Sequence, residues 1–593
     1  MSNEQFAIGI DLGTTNSALA QASLTDGSAP SVLAVSQVVA PGEVSAQSLL
    51  PSFVYIPADG QFPEGSLRLP WPTDGHEVVG TFARAQGSGS PARLIASAKS
   101  WLSYAGVDRA SAILPWQAPN EVPKLSPVDA SARYLKHLGA AWDASHPDAP
   151  LEVQDVVLTV PASFDAVARE LTVDAARRAG LPASLRLLEE PQAALYAWLA
   201  DRGDDWRSAV SVGDTILVCD IGGGTTDFSL IAVREDAGTL SLERVAVGEH
   251  ILLGGDNMDL ALAHSVKARL EGQGTQLDDW QMRALTFACR AAKEAMLGDN
   301  TSSTHPLVIP GRSSRLIGGT VKTELTRAEL ESVLLEGFLP IVDATARPVA
   351  PRRAGLTTLG LPYAADAAVT RHLAAFLGRS SLGAQAGHAV VHPTAILFNG
   401  GVTRSPIVRD RILQVLTQWA AADGANAPNV LTGNDPDLAV CRGAAFYARV
   451  RRQGGVRIRG GTAQAYYVGV ERAALAVPGI PPRIDALCVA PFGMEEGSEV
   501  ELPAPFGLYV GELVAFRFFG SAERREDAVG AVVDPALLTE LSPIETTFED
   551  PNRSAGQTVE VRLHARVTEV GTLDIEAVAA DKRWKLSFNV RVH

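Results

Sequence analysis

The chain has 593 residues, which is too long for one compact core and predicts at least two domains. Hydrophobic residues make up 46% of it and charged residues 20%, proportions that exclude a disordered or fibrous protein. A formal net charge of −16 disfavours binding to nucleic acid and to anionic membranes, so we expect neither as a partner.

Three further features predict a cytoplasmic protein. The amino terminus passes from polar residues directly into an apolar segment, without the basic region and cleavage site of a signal peptide. No apolar run reaches the roughly 18 to 20 residues that a membrane-spanning helix needs. The cysteines, Cys219, Cys289, Cys441 and Cys488, are far apart in sequence, as expected for buried thiols in a reducing compartment.

The first predicted element is a β-hairpin over residues 6–21, in which an apolar strand ends at Asp11 and a Gly-Thr-Thr turn follows. The same pattern returns over residues 215–233, where a strand ends at Asp220 and leads into Gly-Gly-Gly-Thr-Thr. A repeat with a period of about two hundred residues indicates two related lobes rather than a solenoid.

The segments between and after the two hairpins predict alternating strands and helices. A buried strand over residues 155–161 precedes a helix over 164–179, and a second helix follows Pro191. Strand, turn and helix recur over residues 394–405, and a helix of small residues covers 441–449. The sequence therefore predicts an α/β fold up to about residue 450.

The composition changes after Arg449. Residues 451–461 are basic and rich in glycine, which predicts a linker. Beyond it, residues 559–567 and 572–578 alternate apolar and polar side chains with a period of two, and no long amphipathic helix is present. We expect a small antiparallel β domain there, a sandwich.

The two repeated turns are candidate phosphate sites. Glycines after an Asp-terminated strand leave main-chain amides free to approach an anion, and threonine hydroxyls add donors. Asp11 and Asp220 would lie beside that phosphate, where their carboxylates would hold a magnesium ion directly or through its waters. One such turn alone could be an ordinary hairpin, but two matching copies favour a polyphosphate held between two lobes.

At these motifs the chain resembles the DnaK-type heat-shock protein 70 family of the actin-like ATPase superfamily, as a divergent member of bacterial type. The resemblance runs in order from residue 6 to about 449. The segments that carry it are Ile10–Ser17, Thr159–Phe164 with Arg169, Glu190-Pro191, Asp220–Asp227, Leu253–Asp256 and Gly400–Arg404. It implies a two-lobed ATPase domain of duplicated ribonuclease-H-like lobes, with lobe I over residues 1–205, lobe II over 206–450, a linker over 451–462 and a β-sandwich over 463–593.

The resemblance also implies site residues and the cofactors ATP or ADP and Mg²⁺. The phosphate-binding residues would be Gly13, Thr14, Thr15, Asn16, Gly222, Gly223, Gly224, Thr225 and Thr226. The other nucleotide-binding residues would be Gly254, Gly255, Lys293, Gly400, Gly401 and Arg404. Of these, Gly400, Gly401 and Arg404 would contact the nucleoside.

The catalytic residues implied are Lys99, Glu190, Asp220 and Thr225. Lys99 stands in Ser97-Ala-Lys99, where the family has Asp-Ala-Lys, and would position the attacking water and neutralise charge at the γ-phosphate. Its alternative is a solvated surface lysine. Glu190 and Asp220 would orient magnesium-bound waters, while Glu190 could also serve as a carboxylate at the start of a helix.

The helix that holds the adenine in the family departs from the family pattern here. Arg290 replaces a glutamate, Glu294 replaces the arginine that stacks on the base, and Leu297 replaces a serine, whereas Lys293 is retained. We therefore expect weaker recognition of the base. The alternative is an ordinary amphipathic helix, for which the packing residues would be Leu285, Ala288, Ala292 and Ala295.

The function that follows from the resemblance is an ATP-dependent chaperone-like activity, with slow ATP hydrolysis and binding of unfolded or extended polypeptide by the β domain. A J-domain co-chaperone or a nucleotide exchange factor would be further partners. Because the sequence stops at His593 after the last predicted strand, we expect no helical lid. The alternatives are a small-molecule kinase of the same superfamily and an actin-like assembly protein, neither of which would require residues 463–593.

Overall fold

The computed structural model of the chain contains two compact units. Unit 1 comprises Met1–Ser241 and Val247–Arg457, and unit 2 comprises Leu242–Ala246 and Ile458–His593. The residues described are 5–73, 77–87, 89–104, 106–164, 166–236, 239–298, 302–311, 320–349, 361, 363–379, 389–433, 435–456, 458–459, 462, 464–472, 482–494, 497–521, 524, 526–549, 553–568, 572–580 and 582–589.

The strands up to residue 430 are β1 (Phe6–Asp11), β2 (Asn16–Ser23), β3 (Ser31–Val32), β4 (Val35–Ala40), β5 (Glu43–Gln47), β6 (Leu50–Pro51), β7 (Val54–Tyr55), β8 (Val78–Val79), β9 (Leu94–Ile95), β10 (Asp155–Val160), β11 (Arg186–Glu189), β12 (Thr215–Ile221), β13 (Thr226–Asp236), β14 (Thr239–Val247), β15 (Thr304–Ile309), β16 (Val321–Thr326), β17 (Ala395–Asn399) and β18 (Asn429–Val430). The α-helices are α1 (Thr81–Gly87), α2 (Ala98–Ser103), α3 (Pro127–Ser145), α4 (Ala166–Arg178), α5 (Glu190–Arg202), α6 (Trp206–Ala209), α7 (Gly255–Gly272), α8 (Asp279–Gly298), α9 (Arg327–Glu331), α10 (Val369–Arg379), α11 (Pro406–Ala422) and α12 (Ala439–Gln453).

Two sheets of unit 1 share one topology. In the first, β1 pairs with β2 in antiparallel and with β10 in parallel orientation, and β10 pairs in parallel with β11. In the second, β12 pairs with β13 in antiparallel and with β17 in parallel orientation, and β17 pairs in parallel with β18. The predicted duplication of an α/β lobe is therefore confirmed, and Asp11 and Asp220 occupy the same position at the end of the first strand of each sheet.

Helix α12 packs closely on α5. A Cβ atom placed on Gly443 would lie 1.7 Å from the carbonyl oxygen of Ala193, so only glycine permits this approach of the two helices. The helix also continues through Gln453, three residues into the predicted linker, and within this extension Arg452 Nε lies 2.7 Å from Asp155 Oδ2. It ends at Gly454, whose φ is 81°. Residues 457, 460 and 461 of the predicted linker lie outside the described residues.

Unit 2 is a β-sandwich, as the alternating pattern predicts. Its strands are β19 (Ile458–Arg459), β20 (Ala465–Glu471), β21 (Ile484–Ala490), β22 (Glu499–Val510), β23 (Leu513–Ser521), β24 (Val532–Val533), β25 (Thr539–Thr547), β26 (Gln557–Val567), β27 (Thr572–Val578) and β28 (Arg583–Asn589). One antiparallel sheet has the order β24-β21-β20-β23-β25 and the other β22-β26-β27-β28. Tyr466 and Phe518 of the first sheet share a buried core with Val561 and Ile575 of the second. The residues that β14 contributes to this unit pair in parallel with β19.

In the part of the chain that the structure describes, no helix combines the length and the apolar character that crossing a membrane requires.

Candidate nucleotide site

The two repeated turns of unit 1 face each other. A Cβ atom placed on Gly223 would lie 1.8 Å from Thr15 Oγ1, and one placed on Gly224 would lie 2.6 Å from Thr14 Cγ2. The two residues of each pair are about two hundred positions apart in sequence, so it is the fold that brings them together. Absence of a side chain at Gly223 is what permits it.

The facing turns present a set of unused main-chain donors. Within the described residues, the amides of Thr14, Thr15, Gly223, Gly224 and Thr225 donate no hydrogen bond to another protein group. Successive free amides in a turn form a concave site of positive partial charge that suits an anion. The geometry therefore supports the predicted phosphate site on both turns.

Two residues of the predicted phosphate set have their donors occupied inside the protein. The amide of Gly222 donates to Thr225 O at 2.9 Å and closes the turn. Thr226 is fully buried, its hydroxyl donates to Leu253 O at 2.7 Å, and its amide donates to Ile251 O at 3.0 Å. Gly222 and Thr226 thus stabilise the conformation of the turn, whereas Gly223, Gly224 and Thr225 have amides that are free to bind an anion.

A third glycine loop closes one side of the site. The amide of Gly255 donates to Gly222 O at 3.0 Å, and that of Asp256 donates to Gly223 O at 2.7 Å. A Cβ atom on Gly254 would lie 2.6 Å from Gly222 O. The predicted nucleotide-binding residues Gly254 and Gly255 are therefore next to the second phosphate turn.

Lys99 lies among acidic side chains and is only 5% exposed, so its alternative interpretation as a solvated surface lysine is wrong. It forms a salt bridge with Glu190. Burial opposes the charged form of Lys99, but the charges of Glu190 and Asp11 outweigh burial and raise its pKa. Lys99 is therefore protonated at neutral pH.

The carboxyl groups around Lys99 are destabilised as anions. Burial raises the pKa of Glu190 to about 8 against the opposing charge of Lys99, and repulsion from Asp11 and Asp220 adds to the shift. Burial raises the pKa of Asp220 to about 7, although Asn399 Nδ2 donates to Asp220 Oδ2 at 2.6 Å. Burial also raises the pKa of Asp11. Glu190 is the first residue of α5 and also lies beside Lys99, so it is both a carboxylate at a helix start and a member of the candidate site.

These carboxylates fit a divalent cation. Three acidic side chains, Asp11, Glu190 and Asp220, lie beside Lys99, and Mg²⁺ prefers oxygen ligands while keeping several of its own waters. No group of three acidic, histidine or cysteine side chains within the described ranges is arranged to hold an ion by itself. The arrangement thus suits an ion that also takes waters and phosphate oxygens as ligands.

Asp227 is held by two residues to which the sequence analysis assigned no role. Ser163 Oγ donates to Asp227 Oδ1 at 2.5 Å and lies 2.8 Å from His250 Nδ1. Although burial acts to raise the pKa of Asp227, the interactions with His250 and Ser163 lower it. Asp227 therefore remains ionised and contributes to the raised pKa of Lys99. A lone histidine carries no sequence signal for this contact.

The third predicted group of residues follows β17. Gly400 has a φ of 83°, and a Cβ atom on it would lie 2.5 Å from Asp220 Oδ1, which brings this loop to the carboxylates. A Cβ atom on Gly401 would lie 3.1 Å from Asp437 Oδ1. Arg404 Nη1 lies 2.5 Å from Asp437 Oδ2, and the Arg404 side chain is 61% exposed. Gly400, Gly401 and Arg404 therefore form one rim of the same site.

The basic residues of helix α8, which departs from the family pattern, form salt bridges within the protein. Arg290 Nη2 lies 2.5 Å from Asp256 Oδ1, and Arg290 Nε lies 2.7 Å from Asp259 Oδ2. Lys293 Nζ lies 2.7 Å from Asp259 Oδ1 and donates to Gly255 O at 3.0 Å. Lys293 thereby supports the Gly254-Gly255 loop, and the two aspartates neutralise the arginine that replaces the family glutamate.

The packing face of α8 differs in part from the predicted one. Leu285 and Ala292 are buried as predicted, but Ala295 is exposed, because Cys289 and Met296 supply the remaining core contacts. Glu294 is exposed and Leu297 is half-buried.

Facing phosphate-type turns on duplicated sheets, with a buried lysine and carboxylates beside them, define a two-lobed protein of the actin-like ATPase fold class. The family model for "Hsp70 protein" matches residues 7–351. The chain belongs to the Hsp70 family.

Among its relatives are three proteins named "Chaperone protein HscA homolog". The one from Bordetella pertussis is 32% identical over 456 residues, which cover 75% of this chain and 58% of that protein. The one from Laribacter hongkongensis is 32% identical over 458 residues, with the same shares. The one from Pseudomonas fluorescens is 30% identical over 458 residues, or 76% of this chain and 59% of the relative. The chain thus matches less than two thirds of the length of these relatives.

Proposed function

We propose that this protein binds and hydrolyses ATP between the two duplicated sheets of unit 1 and acts as a chaperone-like protein toward unfolded or extended polypeptide. The observation that carries the ATP site is the pair of facing turns with free amides beside a buried, protonated Lys99. The observation that favours a chaperone role is membership of the Hsp70 family together with a β-sandwich in unit 2. The family result does not favour a small-molecule kinase.

The polyphosphate would lie against the two turns. Amides of Thr14 and Thr15 on one side and of Gly223 and Gly224 on the other would donate to its oxygens, with the hydroxyl of Thr225 at the terminal phosphate. Asn16 and Gly13 belong to the first turn and would complete it. Such fixed donors stabilise charge without reorganising during the reaction.

Hydrolysis would take place beside Lys99. A water attacks the γ-phosphorus, the bond between that phosphorus and the bridging oxygen to the β-phosphate breaks, one proton of the water passes to a phosphate oxygen, and ADP and inorganic phosphate leave. The Lys99 ammonium would orient the water and neutralise the charge that grows on the γ-phosphoryl oxygens. Magnesium, where bound, neutralises phosphate charge; Asp11 and Asp220 would hold it directly or through waters, and Glu190 would orient those waters.

The nucleoside would lie on the rim formed by Gly400, Gly401 and Arg404. The exposed guanidinium of Arg404 offers a flat face for this contact, while its salt bridge with Asp437 fixes its position. Gly254, Gly255 and Lys293 would close the other side. Glu294 is exposed and cannot reproduce a stacked arginine, so the base would be held less selectively than the phosphates.

Polypeptide would bind to unit 2 by main-chain hydrogen bonds to a strand edge or loop, and its apolar side chains would contact apolar surface next to those hydrogen bonds. Tyr509 and Leu513, on either side of the turn between β22 and β23, are 53% and 69% exposed. They provide apolar surface of the required kind. A J-domain co-chaperone, a nucleotide exchange factor and a cytoplasmic location are further parts of this proposal, the last supported by the free, buried cysteines.

The test has two arms on the intact chain. In the first, the thermal midpoint is measured with millimolar ATP and Mg²⁺, and release of phosphate is followed in a single turnover. A ligand that binds the folded state raises the midpoint, so no shift would refute the nucleotide site. In the second arm, a library of extended apolar peptides is tested for binding with ATP and with ADP. Failure to bind any peptide would refute the chaperone-like role alone, and sedimentation with ATP would reveal an assembly protein.

A further inference from the structure

Unit 1 contains a cavity of about 430 Å³ between the loop of residues 57–73 and helix α3. Arg133, Lys136, His137 and Ala140, which recur at helical spacing on α3, form one wall. None of its lining residues belongs to the candidate nucleotide site. Its size lies in the range of small-ligand pockets, about 300–1,000 Å³.

The opposite walls are apolar and partly aromatic. Phe62, Leu67 and Leu69 of the loop line the cavity and pack on the buried residues Val38 and Val78. Trp71 also lines it, with its ring perpendicular to that of His137 and the centroids 5.3 Å apart. Flat aromatic walls favour a ligand that contains a ring.

The charged groups around the cavity balance one another. Among the residues that the structure describes, its lining contains three cationic side chains, Arg68, Arg133 and Lys136, and three anionic ones, Asp59, Glu64 and Glu77. The Arg133 guanidinium is already paired, because its Nε lies 2.5 Å from Glu77 Oε1. A nucleotide or another strongly charged ligand would find no excess of opposite charge here, so the lining favours an uncharged one.

His137 supplies one specific polar group. Burial lowers its pKa to about 4, so the ring is neutral at pH 7. Its Nε2 lies 2.9 Å from Ser36 O, and a carbonyl oxygen can only accept, so the proton of the neutral ring is on Nε2. The other ring nitrogen, Nδ1, is therefore left as an acceptor on a ring that lines the cavity.

We propose that this cavity binds an uncharged aromatic small molecule with one hydrogen-bond donor, whose ring packs against Phe62 and Trp71 and whose donor meets Nδ1 of His137. The site is separate from the nucleotide site and does not depend on the proposed ATPase function. Its ligand is recognised by shape and by a single hydrogen bond rather than by charge.

The probes are indole, benzothiophene and indole-3-acetate, titrated into the intact chain and followed by saturation-transfer NMR. Indole carries one N–H donor; benzothiophene has the same shape without the donor, and indole-3-acetate adds a negative charge. We expect an indole Kd on the order of millimolar, as is usual for so small a ligand. Both other probes should bind at least about fivefold more weakly, since one loses a hydrogen bond and the other buries a charge. Absence of indole binding, or equal binding of benzothiophene, would refute the proposal.

A matched pair of variants locates the binding. Ala140→Leu adds three carbon atoms to the cavity wall and should weaken indole binding at least about tenfold. Ala144→Leu makes the same change at an exposed position of α3 and should leave it unaltered. Equal binding by both variants, or displacement of indole by Mg²⁺-ATP, would refute this location. The probe comparison on the unmodified chain keeps the test decisive if Ala140→Leu does not fold.

Discussion

Replacing Gly223 by alanine should separate the two phosphate turns. The new methyl carbon would lie 1.8 Å from Thr15 Oγ1 and 2.9 Å from Thr15 Cβ. Rotating the Thr15 side chain moves its hydroxyl but leaves its Cβ in place. Because carbon atoms pack at about 3.5–4.0 Å, the turns must then move apart by roughly 0.6 Å or more.

The cost follows from that overlap. Forced enlargement of a packed contact costs about 1–3 kcal/mol. A polyphosphate that contacts both turns at once can bind only if the turns approach each other, so its binding free energy is reduced by this amount. ATP affinity should therefore fall by about 5- to 150-fold. The double variant with Thr15→Gly removes the side chain that the methyl group meets. Its loss of affinity should be smaller than the sum of the two single losses.

The assay is ATP binding by isothermal titration calorimetry in the presence of Mg²⁺. Gly272→Ala is the matched control, because Gly272 ends α7 and no atom lies within 4 Å of an added Cβ. That variant should bind ATP normally and gain up to about 1 kcal/mol of helix stability. Unchanged affinity in Gly223→Ala, or additive losses in the double variant, would refute the facing arrangement of the turns.

Three other predictions concern the chemistry of the site. Lys99→Ala should slow single-turnover hydrolysis at least about a hundredfold while changing ATP affinity much less, since charge grows at the γ-phosphate only in the transition state; equal losses in rate and affinity would contradict this role. The pKa of Asp220 is raised to about 7 in the folded protein, so the stability that its protonated form provides should be lost as pH rises from about 4 to 7. Thermal denaturation without nucleotide between pH 5 and 8 should therefore show a weaker decline in Asp220→Asn than in the unmodified protein, and parallel declines would count against it. With Glu294 and Leu297 in place of the family residues, competition binding should show little preference for ATP over GTP, and a preference on the order of a thousandfold would mean that other residues read the base.

Local sequence determined the elements that carry the site. Strands ending at Asp11 and Asp220, each followed by glycine and threonine, could be read directly, because turn residues and apolar runs act over a few positions. The helix that follows Pro191 and the sandwich of unit 2 were predictable for the same reason: proline at a first turn and period-two alternation are local signals. Composition predicts that the linker starts at Arg451, but it cannot reveal that α12 continues through Gln453 and that Arg452 pairs with Asp155 of a distant strand.

Only the tertiary structure decided which of these residues act together. Parallel pairing of β12 with β17 sets Asn399 opposite Asp220, and the fold brings His250 to Ser163 and Asp227. In the same way, the hydroxyl of Thr226 donates a hydrogen bond to Leu253 O, although the motif predicts that it contacts a phosphate. Such partners lie tens to hundreds of positions apart, and topology rather than local preference chooses them. Burial among those partners also sets the ionisation of Lys99, Glu190 and Asp220, which no sequence motif encodes.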